Sequence, residues 1–471
     1  MYRWLIVVPT IAFLAYGFTN PASVELFRPD SPQYVNFDPV RSAGYPVFLD
    51  LGVALMGSLE LVPYLQLVLF ALAALYLSRE IQLSTGSTLL ATGLGLAFLI
   101  HPRIYGLTFQ IITEPVFIAT LMVALGLLMR LLRLPNLWAF AAFSAVVGIA
   151  ATIKPAALSF FPILILVWLL SWVALERRRI AALAIVVLPA LLTLLAERAF
   201  YQSVHGPERM SLTGVHAFAK AGMVNTDHQW SEQDLERLTP TERALFDSLG
   251  ADLQPMRDLI WSTDHFGLKR NLTSSYEIFL QYFYRPDLRE RLIEEKQGDL
   301  VAVYDSLGRI GLQRLERSVL GYVRLTLVNY RALWSGMVLQ TPWGHRAKVQ
   351  FLAESRPIPF DGTVRGVDFV RPANLMAIPV SLAIPAIGVA TLIAIAFAVF
   401  QWMRHRKLHY ALAVSALVGA LIHLNFGVTA AFGVSNARYT VAMWPAAIVS
   451  MTFLLMYMWD IFRKRSRPQI L

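Results

Sequence analysis

The sequence predicts an all-α polytopic membrane protein, with about ten transmembrane helices, interfacial helices in the first outer loop and a mostly helical periplasmic domain between spans seven and eight. Three observations predict it. The 471 residues are 56% hydrophobic and only 15% charged, with mean hydropathy +0.53; a soluble domain carries about a quarter charged residues. Apolar windows of spanning length recur along the chain. Lysine and arginine collect in alternate short loops, as the positive-inside rule requires.

A hydrocarbon core of about 30 Å needs roughly twenty apolar residues per helix. Windows of that length fall at Arg3–Thr19, Val62–Leu77, Ser87–His101, Pro115–Met129, Leu137–Ile153, Ala156–Val173 and Ile180–Phe200. Three more lie at Met376–Trp402, Leu408–Phe432 and Tyr439–Ile461. Trp4–Phe18 has the length of a signal peptide, but no A-x-A-like site follows it and many further spans do. With both termini cytoplasmic, Arg3, Arg79, Arg130, Arg133, Arg177–Arg179, Arg404–Lys407 and Arg463–Arg467 share one side. The net charge of +10 therefore reflects cytoplasmic loops rather than nucleic-acid binding. Trp4, Trp172, Trp402 and Trp459 sit near span ends as interfacial anchors. The chain has no cysteine, which excludes disulfides and thiolate metal sites.

The domain reading is a transmembrane core over 1–200 with a first outer loop at 20–61, a periplasmic domain over 201–375, and C-terminal spans over 376–471. Tyr45–Leu61 is apolar but broken by Asp50, Gly52, Gly57 and Glu60, and is read as a helix in the interface. Gln313–Met337 carries Arg317, Arg324 and Arg331 at seven-residue spacing, with Leu320, Val323, Leu327, Tyr330 and Trp334 on the other face. That pattern suits a basic amphipathic helix resting on anionic lipid, ahead of the alternative of a soluble core helix with a solvated charged face, because a span follows soon after. Thr239-Pro240-Thr241-Glu242 reads as a helix start capped by Thr239, ahead of Leu245, Phe246 and Leu249 at helical spacing. The aromatic run Tyr276–Tyr284 reads as core before sugar platform. Asn271-Leu272-Thr273 matches a glycosylation pattern that is frequent by chance.

Charges near a membrane face are costly unless they act. Five outer elements carry them: Arg28 to Tyr34 with Asp30, Arg41 to Pro46, His101-Pro102-Arg103 through Glu114-Pro115, Lys154-Pro155, and Asn436 to Tyr439. Singly, each has an ordinary role. Asp30 suits a turn before Pro32, Glu114 the acidic first turn of a span, and Arg103, Lys154 and Arg438 suit snorkelling to headgroups. Gathered on one face, they suit sugar transfer from a lipid phosphate. That reaction needs a base for the acceptor hydroxyl and positive charge where the phosphate departs.

In order and spacing these elements resemble the GT-C glycosyltransferases, in the bacterial branch similar to aminoarabinose transferases and protein O-mannosyltransferases. The resemblance rests on Asp30-Ser31 with Tyr34, Arg41 to Gly44-Tyr45-Pro46-Val47-Phe48-Leu49, His101-Pro102, Thr113-Glu114-Pro115-Val116-Phe117, Lys154-Pro155 where many relatives have Arg-Pro, and Arg438-Tyr439 to Pro445. It covers residues 1–200 well and the last spans loosely. It implies an inverting hexosyl- or pentosyltransferase of the bacterial inner membrane, with a polyprenyl-phosphate sugar donor and a glycan, lipid or protein acceptor. Asp30 is then the catalytic base and Glu114 a second pocket carboxylate. Arg103, Lys154 and Arg438 serve the donor phosphate, Arg41 and Tyr45 shape the first-loop pocket, and Tyr34 and Tyr439 are further substrate-binding positions. Ala43 stands where a proline is common, and the outer domain precedes the last three spans where several relatives carry theirs at the C-terminus. Some relatives use a divalent cation; two carboxylates could hold Mg or Mn, though no ligand cluster in the sequence settles it. The competing readings are an O-antigen-type polymerase or ligase, a lipid-linked sugar flippase, and an inactive scaffold. Few charges inside spans argue against transport.

Overall fold

The computed structural model describes residues 3–28, 30–170, 179–210, 212–224, 235–251, 257–258, 261–262, 286–334, 373–433 and 437–465. The protein is 84% helical and has no strand among these residues. The Asn271–Thr273 pattern, the Tyr276–Tyr284 run, Arg177, Arg178, Asn436 and Arg467 lie outside them.

In chain order the helices are α1 (Val8–Thr19), α2 (Ser31–Val35), α3 (Gly44–Met56), α4 (Val62–Thr85), α5 (Thr88–Leu99), α6 (Pro102–Thr108), α7 (Glu114–Arg133), α8 (Leu137–Ile153), α9 (Phe161–Leu170) and α10 (Arg179–His205). There follow α11 (Thr213–Met223), α12 (Pro240–Ala251), α13 (Pro286–Glu295), α14 (Leu300–Arg317), α15 (Val319–Trp334), α16 (Ala373–His405), α17 (Tyr410–Phe432), α18 (Ala437–Ala442) and α19 (Trp444–Arg465). Their boundaries follow local chemistry. Proline occupies the first turn of α4, α6 and α7, where its missing N–H is no loss. Ser87 and Asn136 cap α5 and α8 by accepting from Leu90 and Ala139 N–H.

Among the described residues, six helices are long and apolar enough to cross a membrane: Leu59–Thr85, Glu114–Arg133, Leu183–His205, Ala383–His405, Tyr410–Phe432 and Trp444–Arg463. A seventh arises if α5 and α6, bent by 61° at their junction, form one broken span. The chain is a multi-pass α-helical membrane protein. The remaining three segments that the hydropathy windows mark fall on shorter apolar helices, Trp4–Thr19, Leu137–Ile153 and Pro155–Leu170. At 1.5 Å per residue Trp4–Thr19 and Leu137–Ile153 reach about 26 Å at most, near the lower limit for a crossing, while Pro155–Leu170 is described only as far as Leu170.

The structure divides into two compact units. The first comprises Met1–Pro207, Ala386–Asn425 and Val441–Leu471. At its centre is α7, with 78% of its apolar window buried, packed against α4 and α8. By contrast α10 is only 17% buried and exposes Leu188, Leu191, Leu192 and Leu195. A contiguous leucine face of that kind is solvated by lipid rather than water. Each end of α7 carries an ion pair. Glu114 Oε1 meets Lys154 Nζ at 3.0 Å at one end, and Arg133 Nη2 meets Glu80 Oε2 at 2.8 Å at the other. Twenty residues of helix put these about 30 Å apart.

The second unit comprises Glu208–Pro385 and Phe426–Thr440. Its core gathers Phe218, Leu245, Leu292, Leu307, Ile310 and Leu325. Gly311 of α14 lies where a Cβ would come within 2.5 Å of the Ala217–Phe218 backbone, so it sets how closely α14 crosses α11. Thr239 and Glu242 form a reciprocal capping box on α12: Glu242 N–H donates to Thr239 Oγ1 at 3.2 Å and Thr239 N–H to Glu242 Oε2 at 3.0 Å. The carbonyls ending α11 are also satisfied. Arg314 donates to Ala221, Arg257 to Gly222 and the Trp261 indole to Met223. Cations suit the negative end of a helix.

One sequence expectation is corrected here. The seven-residue spacing of Arg317, Arg324 and Arg331 does not run along one helix. Arg317 closes α14, the chain breaks at Ser318, and α15 begins at Val319. Trp334, expected on the outer apolar face, is buried.

Candidate functional site

The first outer loop is tied down from three directions. Ser31 Oγ accepts from Arg28 N–H at 2.7 Å and donates to the Ile111 carbonyl at 2.6 Å, and Ile111 N–H returns to the Leu26 carbonyl. Thus the 101–114 segment is stitched to the loop bearing Asp30. Ala43 N–H donates to the buried Glu197 carboxylate at 2.9 Å, and Tyr201 donates to the Pro39 carbonyl at 2.7 Å. The C-terminal part of α10 therefore holds the loop from the other side. Finally, Gly44 opens α3 against the end of α8. A Cβ there would lie 2.7 Å from the Thr152 carbonyl oxygen. Only glycine lets α3 approach the turn that presents Lys154.

These ties bring most of the sequence-predicted residues together in the first unit. Arg41 Nη2 lies 3.5 Å from Asp30 Oδ1. The same guanidinium donates to the Tyr34 hydroxyl at 3.1 Å and to Gln33 Oε1 at 2.8 Å. Tyr34 meets Tyr45 edge-on, with ring centroids 5.2 Å apart. Tyr45 is fully buried and donates to Gln66 Oε1 at 3.0 Å. Burial, with the neighbouring Tyr34 and the Glu114 charge, pushes its phenol well above the usual value. It therefore stays a neutral donor. Glu114 is buried and paired with Lys154, whose ammonium also lies 5.4 Å from the centre of the Phe117 ring. The result is two acid–base pairs, Asp30–Arg41 and Glu114–Lys154, joined through two tyrosines.

Two pairs differ in accessibility. The Asp30 side chain is 28% exposed and that of Glu114 only 2%. An acid that exchanges protons with a substrate needs access; one that is sealed and paired fixes geometry.

Arg103 is exposed on α6, within electrostatic reach of Arg28. Like charges within electrostatic reach repel, and a nearby anion offsets that cost. His101 caps α6, accepting from Ile104 N–H through Nδ1 at 3.4 Å, and its ring lies edge-on to Trp444 at 5.2 Å. Its role is that of a helix-end residue. Arg438 and Tyr439 open α18 in the second unit, with the guanidinium 5.6 Å from the Tyr439 ring centre. Among the described residues, no three His, Asp or Glu side chains gather as a metal site. A cavity of about 530 Å³ in the second unit is lined by Gly214, Tyr304, Asp305, Arg309 and Gln313 and holds none of the sequence-predicted site residues.

No protein-family model, curated protein or solved structure matches this chain. The chemistry is therefore read from the site alone.

Sequence reasoning missed Glu197 and Gln66. Both are buried, and both hold backbone groups distant in the chain: Glu197 the Ala43 N–H, and Gln66 the Thr108 and Gln110 carbonyls at 3.1 and 2.9 Å. A signal existed for each, since a polar or acidic side chain inside an apolar run flags a functional or structural partner.

Proposed function

We propose that the protein is an inverting glycosyltransferase that moves a sugar from a polyprenyl-phosphate donor to an acceptor hydroxyl at the periplasmic face of a bacterial inner membrane, with both termini cytoplasmic. The observation that carries the reading is the convergence of Asp30–Arg41 and Glu114–Lys154 around Tyr34 and Tyr45. In this reading the acceptor oxygen attacks the anomeric carbon and its proton passes to Asp30. The bond from that carbon to the phosphate oxygen breaks, and the lipid phosphate leaves with the electron pair. Arg103 with Arg28, and Lys154, supply positive charge where the phosphate charge grows. Glu114 holds Lys154 in place, and Arg41 orients Asp30. The middle of α7 carries no charge, so its ion pairs stand at the heights of the two membrane faces, which suits interfacial chemistry rather than a path through the core. The acceptor class, whether glycan, lipid or protein, and the sugar are set by contacts outside this cluster.

The test is sugar transfer from a synthetic polyprenyl-phosphate donor in vesicles, comparing the wild type with Asp30→Asn. The expected result is loss of turnover by at least about a hundredfold, the lower range of general-base contributions, with unchanged membrane insertion. Full turnover in Asp30→Asn removes Asp30 as base and the transferase reading with it.

A further inference from the structure

We propose that α15 is a membrane-docking helix whose exposed apolar stripe enters the acyl boundary of an anionic bilayer while its flanking arginines meet lipid phosphates. The stripe is Val319, Leu320, Val323 and Leu327; Leu320 is 82% exposed and Leu327 61%. At 100° per residue these four side chains span a sector of about 100°. Arg324 and Arg331, both exposed, occupy the next sector of about 20° on one edge. The opposite face carries Leu325, Asn329, Ala332 and Leu333, all buried, with Leu325 in the core of the second unit. The helix therefore has an inner apolar face that the fold consumes and an outer apolar face that it leaves uncovered.

The same unit supplies the depth. The Tyr322 hydroxyl of α15 donates to the Ala431 carbonyl at 2.7 Å, and Trp334 packs edge-on to Phe426 at 4.9 Å. Thr440 donates to the Leu333 carbonyl at 2.9 Å. Ala431 and Phe426 belong to the last turns of α17, a 23-residue spanning helix. A helix of that length runs about 34 Å, so its end stands at the membrane–water boundary, and α15 is fastened to that end. A helix held at this height, with leucine and valine on one face and arginine at their edge, matches the boundary between acyl chains and headgroups. The arginines choose the lipid, because an anionic leaflet attracts basic residues held at its surface.

The chain has no cysteine, so single cysteines report without background. Leu320→Cys and Leu327→Cys, with Glu316→Cys as a control on the exposed end of α14, are introduced into the full-length protein. Each carries an environment-sensitive fluorophore in nanodiscs of phosphatidylcholine alone or mixed with phosphatidylglycerol. The expected result is that brominated acyl chains quench the label at 320 and 327 several-fold more than at 316. Adding Arg324→Gln and Arg331→Gln should lower that quenching only in the anionic discs. A water-exposed label at 320 in both discs overturns the proposal. Disulfide capture of Leu320→Cys between two copies overturns it in favour of self-association. Equal quenching in neutral and anionic discs overturns the headgroup contact.

Discussion

Glu114 Oε1 and Lys154 Nζ lie 3.0 Å apart where α7 begins and α8 has just ended. The two residues come from distant parts of the chain; the Glu114 side chain is sealed from solvent at 2% exposure and that of Lys154 is mostly covered at 13%. Removing one partner leaves a buried charge, which costs about 3–5 kcal/mol, whereas removing both is far milder. Glu114→Gln and Lys154→Met should each lower the unfolding temperature strongly, and the double variant should regain much of the loss. A double variant as unstable as the sum of the singles would show that the two side chains do not act as a pair.

Gly44 of α3 lies directly against Thr152 of α8. Gly44→Ala drives a methyl into the Thr152 carbonyl, and overpacking of that kind costs about 1–3 kcal/mol. Gly93 is also helical, but a methyl there meets nothing within 4 Å; Gly93→Ala should be neutral or slightly stabilising. Thermal unfolding in detergent compares the two.

On the proposed glycosyltransferase reading, Arg103 and Arg28 together predict a donor effect without a base effect. Arg103→Ala should raise the KM for the polyprenyl-phosphate donor about tenfold or more, the scale of a lost charge-assisted hydrogen bond. The acceptor KM should not move. Unchanged donor affinity takes Arg103 out of the phosphate site.

Lys220 predicts a pH dependence of unusual sign. Burial lowers its ammonium from 10.5 to about 7, and Nζ donates to the Ala430 carbonyl at 2.5 Å. Between those values the unfolded chain binds a proton that the folded chain does not, so stability rises with pH. The desolvation cost is complete below about pH 7 and fades toward 10.5. Lys220→Met should flatten the rise in unfolding temperature between pH 7 and 9. A variant whose slope matches the wild type would place the titration elsewhere.

The capping box of α12 gives a smaller effect. Thr239→Ala should cost about 1 kcal/mol. Glu242→Gln should cost more, because the buried carboxylate also pairs with Arg309 and Lys296. Denaturant unfolding of the full chain measures the difference.

Much of this was legible because it is written locally. The Thr239 cap is a four-residue signal, and the apolar runs show where helices lie. Asp30, Arg41, Glu114 and Lys154 stand out because charge at a membrane face has few idle uses. Span lengths were less legible. The window Leu137–Ile153 coincides with its helix, which Asn136 caps and Lys154-Pro155 ends, but at 17 residues it is at the lower limit of a crossing, and hydropathy alone does not decide such a case. The arginine spacing misled for the same reason: Ser318 breaks a pattern that periodicity carries across. Glu197 and Gln66 each stand out as a polar side chain in an apolar run, but the backbone groups they hold lie 154 and more than 40 residues away, and local pattern does not name such partners.

Because a charge pair pins each tip of α7, the helix cannot slip along its own axis without pulling one pair into hydrocarbon. It behaves as a ruler of fixed length set across the bilayer. In a thinner or thicker membrane, lipid-facing helices such as α10 and α16 can tilt to adapt, while the height of Lys154 above the opposite leaflet stays constant. The Glu114–Lys154 pair is thus gauged to the membrane by the protein, and not the reverse.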